Sequence, residues 1–254
     1  METRRLLCVV LLGWCIGAQA TDLTQSTVTE VINDVKLQAA GAPTASPAKP
    51  NTVFKTPDLL RTGAASRAEL TASDQTITRV GANTVFSFEA TGRNINLEQG
   101  SVLFHSPKGK GGGVIKSGGA AAAVLGTTII VSYSAQAGFK VVVLEGDAKV
   151  SLADGNSKII HAGQLIIVLP GGQAFGEQQT IDLAKLVAGS QLVKGFSHEL
   201  PSIDLIKAAI AAQQGTSPTE DYAGKNPNKG IDNNTYRGGT SPSRNNINGI
   251  SNVP

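Results

Sequence analysis

The stretch LLRTGAASRAELTASDQTITRVGANTVFSFE, Leu59 to Glu89, decides how this chain is read. It holds the arginines Arg61, Arg67 and Arg79, the acids Glu69 and Asp74, and two glycines, Gly63 and Gly81, that cut it into short pieces. Such a stretch is either a site for an anion or the punctuation of a β fold with charges where strands turn over. Arg61 precedes a turn at Thr62-Gly63, Arg67 leads into the alternating AEL, and Arg79 precedes Val80-Gly81. An arginine near a strand end covers apolar edge with its stem while its head stays wet or bonds turn carbonyls. Glu69, on the next strand, offers a partner, and an exposed pair of that kind contributes only about 0–1 kcal/mol. The residues therefore favour architecture over a site.

Outward from this stretch the same grammar continues. From about Val53 to Gly172, apolar runs end in Gly, Asp-Gly or Gly-Gly, and punctuating glycines stand at 63, 81, 92, 100, 118, 126, 138, 146, 155, 163 and 171. That spacing suits short strands joined by tight turns. Period-2 alternation agrees: Phe86 and Phe88 oppose Ser87 and Glu89, and Ile129, Val131 and Tyr133 oppose Ile130, Ser132 and Ser134. Phe139, Val141 and Val143 alternate with Lys140, Val142 and Leu144, and Ala148, Val150 and Leu152 with Lys149, Ser151 and Ala153. Successive strand side chains point to opposite faces, so one face is buried and the other partly wet. Leu165–Leu169 is apolar on both faces and reads as a buried strand. The expectation is a mainly β domain of about ten short strands over residues 53–172, as a sandwich, barrel or solenoid. The even late spacing leans toward a solenoid.

The ends differ. Arg4 and Arg5 precede an apolar run, Leu6 to Gly17, and then Ala18-Gln19-Ala20. This is the pattern of a cleavable export signal over residues 1–20, cut after Ala20, and the run is too short to span a bilayer comfortably. Cys8 and Cys15, the only cysteines, lie inside it. The mature chain is thus expected to use neither disulfides nor thiol chemistry. Without Arg4, Arg5 and Glu2 there remain 20 basic and 18 acidic residues, a net charge of +2. Such a balance argues against electrostatic capture of nucleic acid. No later run suggests a membrane span after cleavage.

Residues 21–52 contain the β-branched TVTEVINDV, read as a strand, and then GAPTASPAKPN, read as a linker or surface loop. Residues 173–215 change period. TIDLAKLVAGSQLVKG starts a helix with Thr180 as N-cap, and PSIDLIKAAIAAQQG a second with Ser202 as N-cap, placing Ile203, Ile206 and Ile210 on one face. Two short helices beside a β domain most often cover an open end or edge. Residues 216–254, rich in Asn, Gly, Ser and Pro, read as a disordered tail.

Catalytic groupings do not emerge. His105, His161 and His198 stand alone on different segments and read as solvated or core histidines rather than metal ligands. Glu145 and Asp147 flank Gly146 and read as turn residues on a wet surface rather than an acid/base pair. The glycine run at 109–113 lacks the phosphate-loop pattern. Aromatics for stacking on sugars or bases are few. The chain reads as a non-enzyme without cofactor.

Blocks from about Leu59 to Val168 resemble, in order, the FecR-type domain, the periplasmic β domain of iron-uptake signalling regulators. LRTGAASRAEL, with Arg61, Gly63, Arg67 and Glu69, resembles the family's opening; TITRVGANTVFSF carries Arg79 and Gly81; INLEQGSVLF has Gly100 at its hairpin. VLGTTIIV keeps Gly126, Thr127 and Val131, VVVLEGDAKV keeps Glu145 and Gly146, and HAGQLIIV closes with Gly163 and Gln164. Departures are Ile129 for an aromatic, Gln75 for a turn glycine, Ser117-Gly118-Gly119 for Thr-Pro, and Ala148 for a valine. The resemblance implies a FecR-like β scaffold whose motif residues are structural, with no enzymatic activity or cofactor. The family's regulators carry an anti-sigma segment and a membrane span before this domain. Here a signal precedes it, so sigma-factor control is not implied. The expected function is an exported protein-interaction or sensing scaffold, periplasmic or secreted, that meets an envelope protein or surface polymer. The alternative is a structural or carbohydrate-binding module of the cell surface.

Overall fold

In the computed structural model, which describes residues 22–215, the alternation resolves into two β-sheets and a helical cap. The chain opens with β1 (Gln25–Ile32), β2 (Val35–Gln38), β3 (Ser46–Pro47) and β4 (Val53–Lys55). The stretch from Leu59 supplies β5 (Leu59–Thr62), β6 (Arg67–Thr71), β7 (Ile77–Val80) and β8 (Val85–Phe88). Next come β9 (Asn94–His105), β10 (Gly113–Ser117), β11 (Ala120–Val124), β12 (Thr128–Ser134) and β13 (Gly138–Glu145). The last strands are β14 (Asp147–Leu152), β15 (Ser157–His161), β16 (Gln164–Val168) and β17 (Gln179–Thr180). Helices α1 (Leu183–Gly189), α2 (Gln191–Lys194) and α3 (Ile203–Gly215) follow.

Pairing sorts the strands into two layers. The first sheet runs β4-β1-β6-β7-β9-β12-β13-β16-β17. The second runs β3-β2-β5-β8-β9-β10-β11-β14-β15. All pairs are antiparallel except β9 with β10. A β-helix solenoid stacks parallel strands, so the pairing selects the sandwich. One core lies between the layers, with Val28, Leu70, Val102, Val131 and Val141 from the first sheet facing Leu60, Leu97, Ile115, Ala122 and Val150 from the second. Phe54, Phe86 and Phe88 form a cluster with ring centroids 5.0 to 5.8 Å apart. Phe86 and Phe88 point inward and Ser87 is half-buried, as their alternation requires.

Several boundaries move. β1 pairs with β6, and β2 with β5, so the sandwich begins near residue 25 rather than 53. The 41–51 segment is no free linker, since Ser46–Pro47 pairs with β2 and Ala48 is buried in the core. Thirteen strands, β4 to β16, fall within 53–172 where about ten were expected. Part of the excess is the β10–β11 hairpin, whose second strand is AAAAV. Alanine gives no β signal, and the hairpin is made by the turn Gly118-Gly119, with φ of 53° and 80°. β16 is less enclosed than its apolar sequence suggests, since Leu165 and Ile167 are only half-buried.

The first expected helix is broken at Ser190 into α1 and α2. Its N-cap is Asp182, which accepts from Lys185 N, because Thr180 is engaged in β17. The helices do not cover an edge. They cover the outer face of the first sheet, where Leu183, Val187, Leu192, Val193, Leu200 and Ile206 pack on Ile77, Leu103, Ile130, Val142 and Leu144. The expected signal segment 1–20 and the expected disordered tail 216–254 lie outside the described residues.

β9 belongs to both sheets. Its first half pairs with β8 and its second with β12, and the change falls at Gln99-Gly100. Gly100 has φ of 95°, and a Cβ there would come within 2.5 Å of Thr84 Cα. Gly100→Ala therefore combines left-handed backbone with a clash against rigid backbone. It is expected to lower stability by about 3 kcal/mol, read as a shift of the urea midpoint.

Candidate functional site

The pairing of β6 with β7 sets Glu69 directly opposite Arg79, both on the outer face of the first sheet. Arg79 Nε donates to Glu69 Oε2 at 2.7 Å, and Thr29 Oγ1 donates to Glu69 Oε1 at 2.8 Å. The rest of the guanidinium turns to the cap. Nη1 donates to Leu192 O at 3.2 Å and Val193 O at 2.9 Å, and Nη2 donates to His198 O at 2.5 Å. Phe196 stacks 4.4 Å from Arg79 Cζ. Arg67 Nε donates to Gly195 O at 3.3 Å, and the Glu30 carboxylate accepts from Ser197 N and, at 2.6 Å, from Ser197 Oγ. The last carbonyls of a helix have no partner within it; here two arginines supply one.

This corrects the expectation for Arg79. Its head is not wet: the side chain is 0% exposed, and Glu69 only 7%. A buried pair obeys different energetics, because removing one partner strands the other charge away from water. Arg61, by contrast, is exposed on β5. Asp74 is also engaged inward, 2.8 Å from Arg93 Nη2. Arg93 donates further to Gly112 O and Thr76 Oγ1, each at 2.7 Å.

A second polar node sits beneath the start of α3. A bulge between Thr128 and Ile129 brings Glu145 opposite Thr128. Thr128 Oγ1 donates to Glu145 Oε1 at 2.7 Å. A threonine hydroxyl has one hydrogen, so its 2.8 Å contact with Ser202 Oγ and its 2.9 Å contact with His105 Nδ1 draw on the hydrogens of those groups. All four residues are buried. Burial pushes the His105 imidazole below its usual range. Burial likewise pushes Glu145 up, and the Thr128 hydrogen bond and the charge of Lys108 hold it partly back. Glu145 thus does not share a wet turn with Asp147. Asp147 is exposed and lies 2.6 Å from His161 Nδ1. Ser202 was expected to cap a helix; its hydroxyl instead ties the helix start to the sheet. Serine, histidine and glutamate meet here, but under the cap, and Thr128 rather than His105 bonds the serine.

The remaining motif residues hold turns. Gly63 N bonds Asp34 O and Gly81 N bonds Ser101 O. Gly126 and Thr127 link β11 to β12, with Thr127 Oγ1 donating to Asp147 O at 3.0 Å. Gly146 separates β13 from β14, Gly163 separates β15 from β16, and Gln164 Oε1 accepts from His161 N at 2.9 Å. Gln75, in the turn position usually taken by glycine, has φ of 72°. Among the described residues no group of three or more His, Cys, Asp or Glu is placed to hold a metal ion.

Among the described residues no helix lies over the outer face of the second sheet. Its side chains lie in rows across the strands: Asn94, Val114, Ala123, Lys149 and Ile159 in one, Asn96, Lys116, Ala121, Ser151 and Ser157 in the next. Ala121 and Ala123 sit low between longer neighbours and form a shallow trough that runs to Leu125, which is 72% exposed. At its rim Lys116 Nζ lies 2.9 Å from Glu89, and this bond holds the Glu89 carboxyl below its usual range. This face escaped sequence reasoning because alanine reports neither strand nor site.

Arg79→Met, which keeps the stem and removes the charge, is expected to cost about 3–5 kcal/mol in urea unfolding. The His105 shift has a definite sign. A depressed histidine contributes stability above its unfolded pKa and loses it as pH falls. Stability is therefore expected to decline below pH 6.5, and His105→Gln to flatten that limb of the stability–pH curve.

Residues 58–149 match the model of the FecR protein family. Among solved structures, two of a "putative anti-sigma factor" from Parabacteroides distasonis ATCC 8503, at 1.65 and 2.50 Å resolution, are similar, each with 20% identity. The first gives a TM-score of 0.45 and covers 51% of this chain and 63% of the other. The second gives 0.46, with 54% and 64%. The match thus spans less than two thirds of those chains. Comparison with curated proteins returns no match. The residues that match the family model run from the strand that carries Arg61 to the one that follows Gly146.

Proposed function

We propose that this protein is an exported, non-enzymatic FecR-domain scaffold that engages another protein of the cell envelope in a sensing or regulatory role. The observation that carries the reading is the unequal fate of the two outer sheet faces. One is sealed by the cap and fastened by Arg79 and Thr128. The other offers the Ala121–Ala123 trough with an apolar end at Leu125 and a charged rim at Lys116, Glu89 and Lys149. Flat strands with small side chains accept a broad partner surface, and a mixed-charge rim adds specificity. The export pattern at residues 1–20 and the family's regulatory character support the same reading.

Attachment to a surface polysaccharide is the second reading, favoured by the length and flatness of the trough. Its two rows contain no aromatic side chain among the described residues on which a sugar ring could stack.

Ala123→Arg fills the trough without touching the core. The variant is expected to melt like the wild type yet recover its envelope partner about tenfold less well by cross-linking. Lys207→Glu, on the exposed side of α3, serves as control. Equal recovery by both variants contradicts the reading, and glycan binding lost only with Ala123→Arg favours the polymer.

A further inference from the structure

We propose that β15 is a dimerisation edge, which pairs antiparallel with β15 of a second copy of this chain about a two-fold axis at Ile159. A strand at the edge of a sheet leaves a row of backbone groups unpaired, and monomeric proteins shorten, block or cover such edges. Three edges here are treated that way. β3 has two residues, one of them Pro47, β17 has two residues, and β4 has three. β15 is the exception, with five residues, four of them exposed.

The direction of its free bonds follows from its neighbours. Among the described residues β15 pairs only with β14. Ala162 N bonds Gly146 O and Leu152 N bonds Asn156 O, so the even-numbered positions turn toward β14. His161 N turns away and is met by Gln164 Oε1. Ile159 and Ser157, two and four residues back, turn the same way. Among the described residues nothing bonds their outward N–H and C=O groups.

Self-pairing about Ile159 uses what is on this edge. Ile159 N–H and C=O exchange two bonds with the same groups of the second copy, as in any hydrogen-bonded antiparallel pair. Ser157 then faces the second copy's His161, whose C=O accepts from Ser157 N–H while its own N–H stays on Gln164, and Lys158 faces its Ile160, so no like charges meet directly. The Ile159 side chain, 59% exposed, meets its copy on the open face. An apolar shelf formed by Leu125, Ala123 and Ile159 becomes continuous across the axis. The partner is therefore a second copy rather than an unrelated strand, because this register gives both groups of Ile159 and the Ser157 N–H a bond and brings the two exposed Ile159 side chains together. The pairing would extend the second sheet and double the open face proposed to meet the envelope partner.

The register makes the test specific. Across the axis the Ile159 Cα atoms lie about 5.5 Å apart, inside the roughly 4.4–6.8 Å window for a disulfide. The Ser157 pair lies roughly 13 Å apart. In the full chain carrying Cys8→Ser and Cys15→Ser, Ile159→Cys is expected to form a disulfide-linked dimer on mild oxidation, and Ser157→Cys is not. In sedimentation at about 0.1 mM, the wild type is expected to run as a dimer, and Ile159→Lys as a monomer with an unchanged thermal melt. A wild-type monomer at that concentration overturns the proposal. So does an Ile159→Lys dimer, or equal cross-linking at the two cysteine positions. None of these readouts involves the envelope partner, so their failure leaves the trough reading standing.

Discussion

A fully buried guanidinium constrains the rest of this structure. A charge removed from water must be met on all sides. Glu69 meets one side from the paired strand, and the carbonyls of Leu192, Val193 and His198 meet the others. Those carbonyls are available only because α2 ends there. The sandwich therefore needs the cap to solvate its arginine, and the cap needs the arginine to satisfy its helix end. The apolar contact of Leu103 and Ile130 with Leu183 and Ile206 supplies adhesion, and the arginine fixes the orientation.

The node at Thr128 repeats the device where α3 begins. Each node joins strands within the FecR-matching residues to residues beyond them: Arg79 to 192–198, and Thr128 to Ser202. The helical cap is thus built into the domain rather than appended to it. Among the described residues the cap covers only the first sheet and leaves the outer face of the second open. His105 and Glu145 have pKa values displaced in opposite directions, as buried groups do when each is held near neutrality. Their role in this arrangement is to join layers.

Much of the fold was legible because it is local. Alternation placed Phe86 and Phe88 inward, glycine spacing found the turns, and the position of Gln75 was read as a turn and has positive φ. What escaped depended on distant partners. Arg79 looked like an edge residue because its partners in the cap lie more than a hundred positions away. Glu145 looked like a turn acid because a bulge, invisible in sequence, swings it under the cap. β11 was missed because alanines carry no strand preference, and the 41–51 segment looked free because its proline content hides a buried Ala48. The family resemblance located the motif residues; their burial and partners came only with the fold.

The central claim is that cap and sandwich form one cooperative unit tied at Arg79. Native-state amide hydrogen exchange on the wild-type chain tests it most directly. The account predicts that the amides of Val187, Val193 and Ile206 open with the same free energy as those of Val102 and Val131 at the centre of the first sheet. Cap amides that exchange through a separate, low-energy opening while the strands stay protected would contradict it.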